Sequence, residues 1–294
     1  MQRVTGEPLP SDGEGAGTKR PSTELSMRVY SALILIAIAL FLTLRSVESF
    51  AVLITVFISA MAWEWGRLVR GEGLDTAFGV QILANAIAAW VTVRGCAACA
   101  VAAVIAGAIA VYFIRSARIE RPQAWWSAAG VAYAGLPAVA LIWIRGDPAY
   151  GLLAILYLFI TVWTTDSAAY LFGRWLGGPK LAPRVSPKKT WSGLIGGALS
   201  AGLAALIFAL FMDGRFSPSL ALMAIALALI SQLGDLGESA IKRTFGMKDT
   251  SGLIPGHGGV LDRIDGLLFA ALAAGLLAFA LDAANPGRAL LIWP

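Results

Sequence analysis

Hydrophobic residues in this chain come in long unbroken runs rather than in alternation or on one helical face. The runs lie at about 27–44, 48–68, 77–93, 95–114, 125–144, 148–173, 193–212, 219–241 and 266–281. A hydrocarbon core of ~30 Å takes ~20 helical residues, so each run is a candidate membrane span. Backbone groups in lipid must satisfy their own hydrogen bonds, which makes the runs helices rather than isolated strands. The pattern predicts an all-α polytopic integral membrane protein with about nine transmembrane helices. Residues 1–26 are polar and rich in Gly, Pro and Ser, and read as a disordered cytosolic tail. Helices one to five fill 27–146, and helices six to nine fill 147–294. Loops are short except at 174–192 and 242–265. The first run is long for a signal-peptide core and far from the N-terminus, so it is read as a retained span.

Composition agrees. The 294 residues are 58% hydrophobic and 14% charged, against about 25% charged in soluble domains. That excludes a water-soluble globular fold, and it excludes disorder for the bulk of the chain. Charge then orients the spans. Of the 23 Lys and Arg residues, 18 fall in the tail and in alternate loops beginning with the loop after the second run. Cations are retained on the cytoplasmic side, so the N-terminus and these loops face the cytoplasm. Nine spans then put the C-terminus outside. Cys96 and Cys99 form a C-x-x-C inside an apolar run. With no second Cys or Cys/His pair to complete a metal site, they read as small buried helix residues, and no disulfide framework is implied.

Polar groups in membrane spans are costly and mark function. Four acids sit in or near spans: Glu64, Asp166, Asp235 and Glu238. On a helix, Asp235, Glu238, Ser239 and Lys242 share one face. Two carboxylates with a hydroxyl suit a hard cation such as Mg²⁺, and a lysine one turn on suits phosphate. Glu238 and Lys242 also have the spacing of an ordinary i,i+4 ion pair. The loop that follows carries Lys242, Arg243, Lys248, His257 and Arg263 with Asp249, Asp262 and Asp265, and glycines flank the histidine. Its successive backbone N–H groups could form an anion nest. Asp262 and Asp265 lie just before the ninth run, where acids are often simple caps. His257 fits a general base, a phosphate donor or a structural residue.

The third polar element follows Asp166. From Ser167 to Ser192 there are five cations and no acid. This suits an anionic substrate or anionic headgroups, or equally a plain cytoplasmic loop. Ser186, Lys188, Lys189 and Thr190 stand directly before a Gly-rich helix start, whose free N–H groups favour phosphate. Asp166 fits either a site or a pairing with a loop cation. No phosphate-binding P-loop, dinucleotide fingerprint, zinc-protease motif or nucleophile elbow is present in the sequence.

The run from Ser239-Ala-Ile-Lys242-Arg243 through Lys248-Asp249 to Ile254-Pro-Gly-His-Gly-Gly-Val-Leu-Asp-Arg-Ile-Asp265 resembles the signature of phosphatidate cytidylyltransferases (CDP-diacylglycerol synthases). Ser186-Pro-Lys-Lys-Thr-Trp191, followed by Gly193, Gly196 and Gly197, is similar to a second family motif, with Ser192 where the family has Glu. The specific resemblance covers about 160–270, and the first five spans match in hydropathy only. It implies transfer of a cytidylyl group from CTP to phosphatidate with Mg²⁺, and with K⁺ as an optional second cation. It also implies that Asp235 and Asp262 hold the metal. Lys242 and Arg243 join these two in catalysis. Ser186, Lys188, Lys189, Thr190, Ser239, Lys248, Asp249, His257 and Arg263 are the substrate-binding candidates. CTP, phosphatidate and membrane lipids are then the partners, with no nucleic acid. A homodimer is implied by the resemblance alone. The expected location is the cytoplasmic membrane of a bacterium, with the site facing the cytoplasm. The competing readings are a CTP-dependent polyprenol or phytol kinase, which moves the γ-phosphate, and an ion-coupled transporter using the intramembrane acids.

Overall fold

The computed structural model describes residues 34, 36–117, 121–213, 217–254 and 258–292. Among the described residues, eight helices are long and apolar enough to cross a membrane. They are α2 (Val47–Arg70), α3 (Thr76–Val93), α4 (Ala97–Ser116), α5 (Arg121–Arg145), α6 (Gly151–Trp175), α7 (Trp191–Asp213), α8 (Pro218–Thr244) and α9 (Leu261–Asp282). A short helix α1 (Ile36–Arg45) is the described part of the first expected span, and α10 (Pro286–Leu291) closes the chain. The chain is a polytopic all-α membrane protein. The 1–26 tail lies outside the described residues.

Local chemistry sets the helix starts. Ser46 and Ser49 form a reciprocal capping box at α2. Asp75 accepts the Phe78 N–H at 2.8 Å at α3. Ser217 precedes Pro218 at α8, a residue that needs no N–H partner in the first turn.

Two cores form. Helices α3, α4 and α5 enclose a small one around Ala88, Ala100, Val104 and Val131. The larger joins α2 and α5 to α10. In lipid, helices associate through close packing of small residues rather than through exclusion of water. The second half follows that rule, with Ala201 and Ala205 on α7, Ala224 and Ala228 on α8, and Ala270, Ala271, Ala274 and Ala278 on α9 all buried. Helices α6 and α7 approach closely. A Cβ on Gly193 would lie 2.7 Å from the Ala169 carbonyl oxygen, and one on Gly197 would lie 2.8 Å from that of Thr165. Large side chains such as Val56, Phe211, Leu222 and Phe279 point outward, as lipid-facing positions should.

Three local expectations change. The 174–192 loop holds a hairpin, β1 (Lys180–Ala182) antiparallel to β2 (Ser186–Thr190), with Lys180 opposite Thr190. Its polar, proline-interrupted sequence carries no alternating pattern, so the pairing is invisible in hydropathy. The 242–265 loop is shorter at both ends, because α8 runs to Thr244 and α9 begins at Leu261. Asp262 and Asp265 therefore lie on the helix. Their carboxylates face a cavity, so a hydropathy window starts the span too late. Finally, Cys96 and Cys99 are joined in a disulfide, correcting their reading as unbonded helix residues. Cys96 is the N-cap of α4 and Cys99 lies in its first turn, which brings their Cα atoms to 5.3 Å, within disulfide range.

Candidate active site

At the loop-bearing end of α6 to α9 is a cavity of about 630 Å³, within the range that holds small-molecule ligands. Its walls come from five elements. Helix α6 gives Asp166, Tyr170, Gly173 and Arg174. The hairpin gives Lys180, Lys188, Lys189 and Thr190, and α8 gives Gln232, Asp235 and Lys242. Helix α7 gives Gly193 and Leu194, and α9 gives Asp262, Arg263 and Asp265. Six cationic side chains therefore face four carboxylates across one space. The close α6–α7 contact puts the hairpin's end against α6. Thr190 accepts the Gly193 N–H at 3.1 Å and so caps α7.

Lysine ammonium groups hold the acids apart from one another. Lys189 Nζ is 2.7 Å from Asp235 Oδ2 and also donates to the Gln232 carbonyl oxygen at 3.2 Å. Gln232 in turn donates its amide to Asp166 Oδ1 at 3.1 Å. Further along α8, Lys242 Nζ is 2.6 Å from Asp262 Oδ1 and 2.8 Å from Glu238 Oε2. The Asp262 contact has hydrogen-bond geometry, and the buried Glu238 carboxylate is ion-paired with the same ammonium. Each candidate aspartate thus has one oxygen on a lysine and both aspartates open onto the same cavity. Among the described residues no group of three His, Cys, Asp or Glu side chains is close enough to hold a metal ion by itself. Two hard carboxylates are still a fitting donor set for Mg²⁺, which usually keeps several waters and takes one or two carboxylates plus substrate phosphates.

The structure sorts the remaining candidates. Lys188, Lys189, Thr190, Asp235, Lys242, Asp262 and Arg263 line the cavity. Ser239 sits behind it, its hydroxyl 3.4 Å from Asp235 Oδ1. Ser186, Arg243, Lys248 and Asp249 are not on its wall. Arg243 instead turns to the Met247 carbonyl at 3.5 Å. His257 lies outside the described residues. The ion pair of Glu238 with Lys242 is formed, and Lys242 reaches Asp262 as well. Asp166 belongs to the site through Gln232. Arg174 and Lys180 also join it, whereas Arg184 is not on its wall.

One residue that the sequence identifies only as an intramembrane acid has a specific partner. Glu64, on α2 in the other half of the chain, has no exposed surface. It accepts the backbone N–H groups of Val260 at 2.9 Å and Leu261 at 2.7 Å, and the Ser251 and Thr250 hydroxyls approach it. No local pattern announces a partner 196 residues away.

The cavity brings Lys188 and Lys189 to the same space as Asp235 and Asp262. The chain belongs to the cytidylyltransferase family, whose sequence model matches residues 26–281, and it is therefore a nucleotidyltransferase. Among similar proteins is the phosphatidate cytidylyltransferase of Brucella suis biovar 1 (strain 1330). It is 41% identical over 251 residues, covering 85% of this chain and 91% of the relative. That of Haemophilus influenzae (strain ATCC 51907 / DSM 11121 / KW20 / Rd) is 35% identical over 279 residues, covering 83% and 94%. In Staphylococcus haemolyticus (strain JCSC1435) a phosphatidate cytidylyltransferase is 44% identical over 140 residues, covering 47% of this chain.

Proposed function

We propose that this protein joins CTP and phosphatidate, releasing pyrophosphate and leaving CDP-diacylglycerol in the membrane. The observation that carries this reading is the cavity in which six cations and four carboxylates meet beside lipid-facing helices. In the reaction a phosphate oxygen of phosphatidate forms a bond to the α-phosphorus of CTP. The bond from that phosphorus to the bridging oxygen of the β-phosphate breaks, and its electron pair leaves with pyrophosphate. The attacking oxygen is already anionic near neutral pH, so no strong general base is required. The difficulty is bringing two polyanions together and stabilising the charge that leaves.

The chain's own residues address that difficulty. Lys188, Lys189, Lys242 and Arg263, with Arg174 and Lys180, supply fixed positive charge around the phosphates, where it acts in both ground and transition states. Thr190 anchors the hairpin to α7, which keeps Lys188 and Lys189 at the cavity wall. Gln232 and Lys189 orient Asp166 and Asp235. Asp235 and Asp262 are the residues that would hold Mg²⁺, and the same oxygens suit K⁺ as an accompanying cation. When bound, Mg²⁺ polarises the α-phosphate and neutralises leaving charge. In this reading the two lysines give up their aspartate contacts and turn to phosphate.

The acyl chains of such a substrate stay in lipid while its headgroup enters the cavity from the boundary. The charge asymmetry of the loops supports a boundary at the cytoplasmic leaflet, and the relatives compared are bacterial, in keeping with a bacterial cytoplasmic membrane. The test is purified protein in mixed micelles with CTP, phosphatidate and Mg²⁺. CTP labelled in the cytosine ring yields labelled lipid, and CTP labelled at the γ-phosphate yields labelled pyrophosphate. Transfer of the γ-label into lipid would establish a kinase instead. Substrate flux into proteoliposomes without CTP turnover would establish a transporter.

A further inference from the structure

Helix α9 starts without a cap of its own, since its N-cap residue Val260 makes no side-chain hydrogen bond to the helix. The first N–H groups of a helix need acceptors, and here Glu64 supplies them from α2. Oε1 takes the Val260 N–H and Oε2 the Leu261 N–H, and a buried carboxylate at a helix N-terminus also meets the favourable end of the helix dipole. The Ser251 hydroxyl adds a bond to Oε1.

The same few residues hold Asp262. Its Oδ2 accepts the Thr250 N–H at 3.1 Å, the Thr250 hydroxyl at 3.0 Å and the Gly259 N–H at 3.1 Å. Thr250 stands between the two acids, 3.4 Å from Glu64 Oε2. Gly259 passes between them, and a Cβ there would lie 2.0 Å from Thr250 Oγ1 and 2.8 Å from Glu64 Oε1. Three loop donors saturate Oδ2, so only Oδ1 is left to face Lys242 and the cavity. Glu64 is not part of the cavity wall; it fixes the loop segment that holds Asp262.

We infer that Glu64 is the positioning residue that sets the Asp262 carboxylate for the reaction, linking the N-terminal helices to the catalytic end of α9. The kinetic arm of its test rests on the cytidylyltransfer reading; the structural arm does not.

The test uses Glu64→Gln in the full chain. Both Glu64 oxygens are acceptors for backbone N–H groups, so a glutamine in either orientation sets an amide donor against Val260 or Leu261. Misplacing a reacting group by about 1 Å can cost about 10²-fold in rate. The expected result is a fall in kcat of at least about tenfold with KM for CTP held within about threefold. Hydrogen exchange at the Val260 and Leu261 amides accelerates by about tenfold or more, the factor equivalent to ~1.4 kcal/mol, while exchange in α6 and α8 is unchanged. Glu64→Asp keeps both acceptors on a stem one methylene shorter and recovers part of kcat.

A kcat within about twofold of wild type overturns the inference, as does acceleration spread evenly through α6, α8 and the loop. If Glu64→Gln fails to insert, Glu64→Asp is judged by the same measurements, and failure of both to insert overturns the inference in favour of a folding role. Absence of wild-type turnover refutes the functional reading instead. Localised exchange at Val260 and Leu261 then still reports on Glu64.

Discussion

Replacing Lys242 with methionine removes the single ammonium shared by Glu238 and Asp262. Glu238 is fully buried and the other two side chains are nearly so, with side-chain exposures of 11% for Lys242, 1% for Glu238 and 11% for Asp262. At an effective dielectric near 20, a contact of ~2.7 Å is worth about 6 kcal/mol of raw attraction, much of it offset by lost hydration. The measured cost of removing one partner of a buried pair is about 3–5 kcal/mol, because the other partner is left uncompensated. Glu238 bears most of that cost here, since Lys242 is its ion-pair partner and it has almost no access to water. With about 2–4 °C per kcal/mol for a chain approaching this size, even the lower figure drops the unfolding midpoint by roughly 6–12 °C. The ten tryptophans give a fluorescence readout in detergent without divalent cations. Adding Glu238→Gln to Lys242→Met removes the stranded charge and recovers part of the loss. A midpoint within about 2 °C of wild type for the single variant, or a double variant less stable than the single, would refute the argument that charge balance holds α8 against α9.

Other outcomes follow from the same geometry. Asp235→Asn and Asp262→Asn each lower kcat by about 10²-fold or more while the protein still inserts; near-normal Mg²⁺-dependent turnover in both removes the metal assignment. Lys188→Ala with Lys189→Ala gives up charge-assisted phosphate contacts of about 1.5–3 kcal/mol each, so KM for CTP or phosphatidate rises at least about tenfold. Unchanged KM for both substrates would leave these lysines as topology signals. Gly197→Val places a branched side chain where even a Cβ would be 2.8 Å from the Thr165 carbonyl. It costs about 1–3 kcal/mol by overpacking, read as a lower unfolding midpoint, and an unshifted midpoint would show that α6 and α7 yield freely.

Much of the site is legible because its parts are local. Asp235, Glu238 and Lys242 share a face by helical spacing alone, and Lys188, Lys189 and Thr190 are neighbours in sequence. The hairpin was not legible, since its strands pair through backbone groups and its side chains show no alternation. Nor was the start of α9, because the residues of its first turn are polar toward the cavity while its amide acceptor comes from another helix. Arg174 reads equally as a cytoplasmic loop charge until α6, running on to Trp175, carries it to the cavity.

Residue order by itself determined that the chain spans a membrane, which loops collect positive charge, and which residues are candidates for handling phosphate. Each of these depends on composition or on spacing within one helix. Tertiary structure alone decided which charges meet: Lys189 with Asp235, Lys242 with Asp262, Gln232 with Asp166 and Glu64 with the start of α9. Electrostatic and hydrogen-bond energies fall off within a few ångströms, and separations on that scale between distant segments are set by how the helices pack.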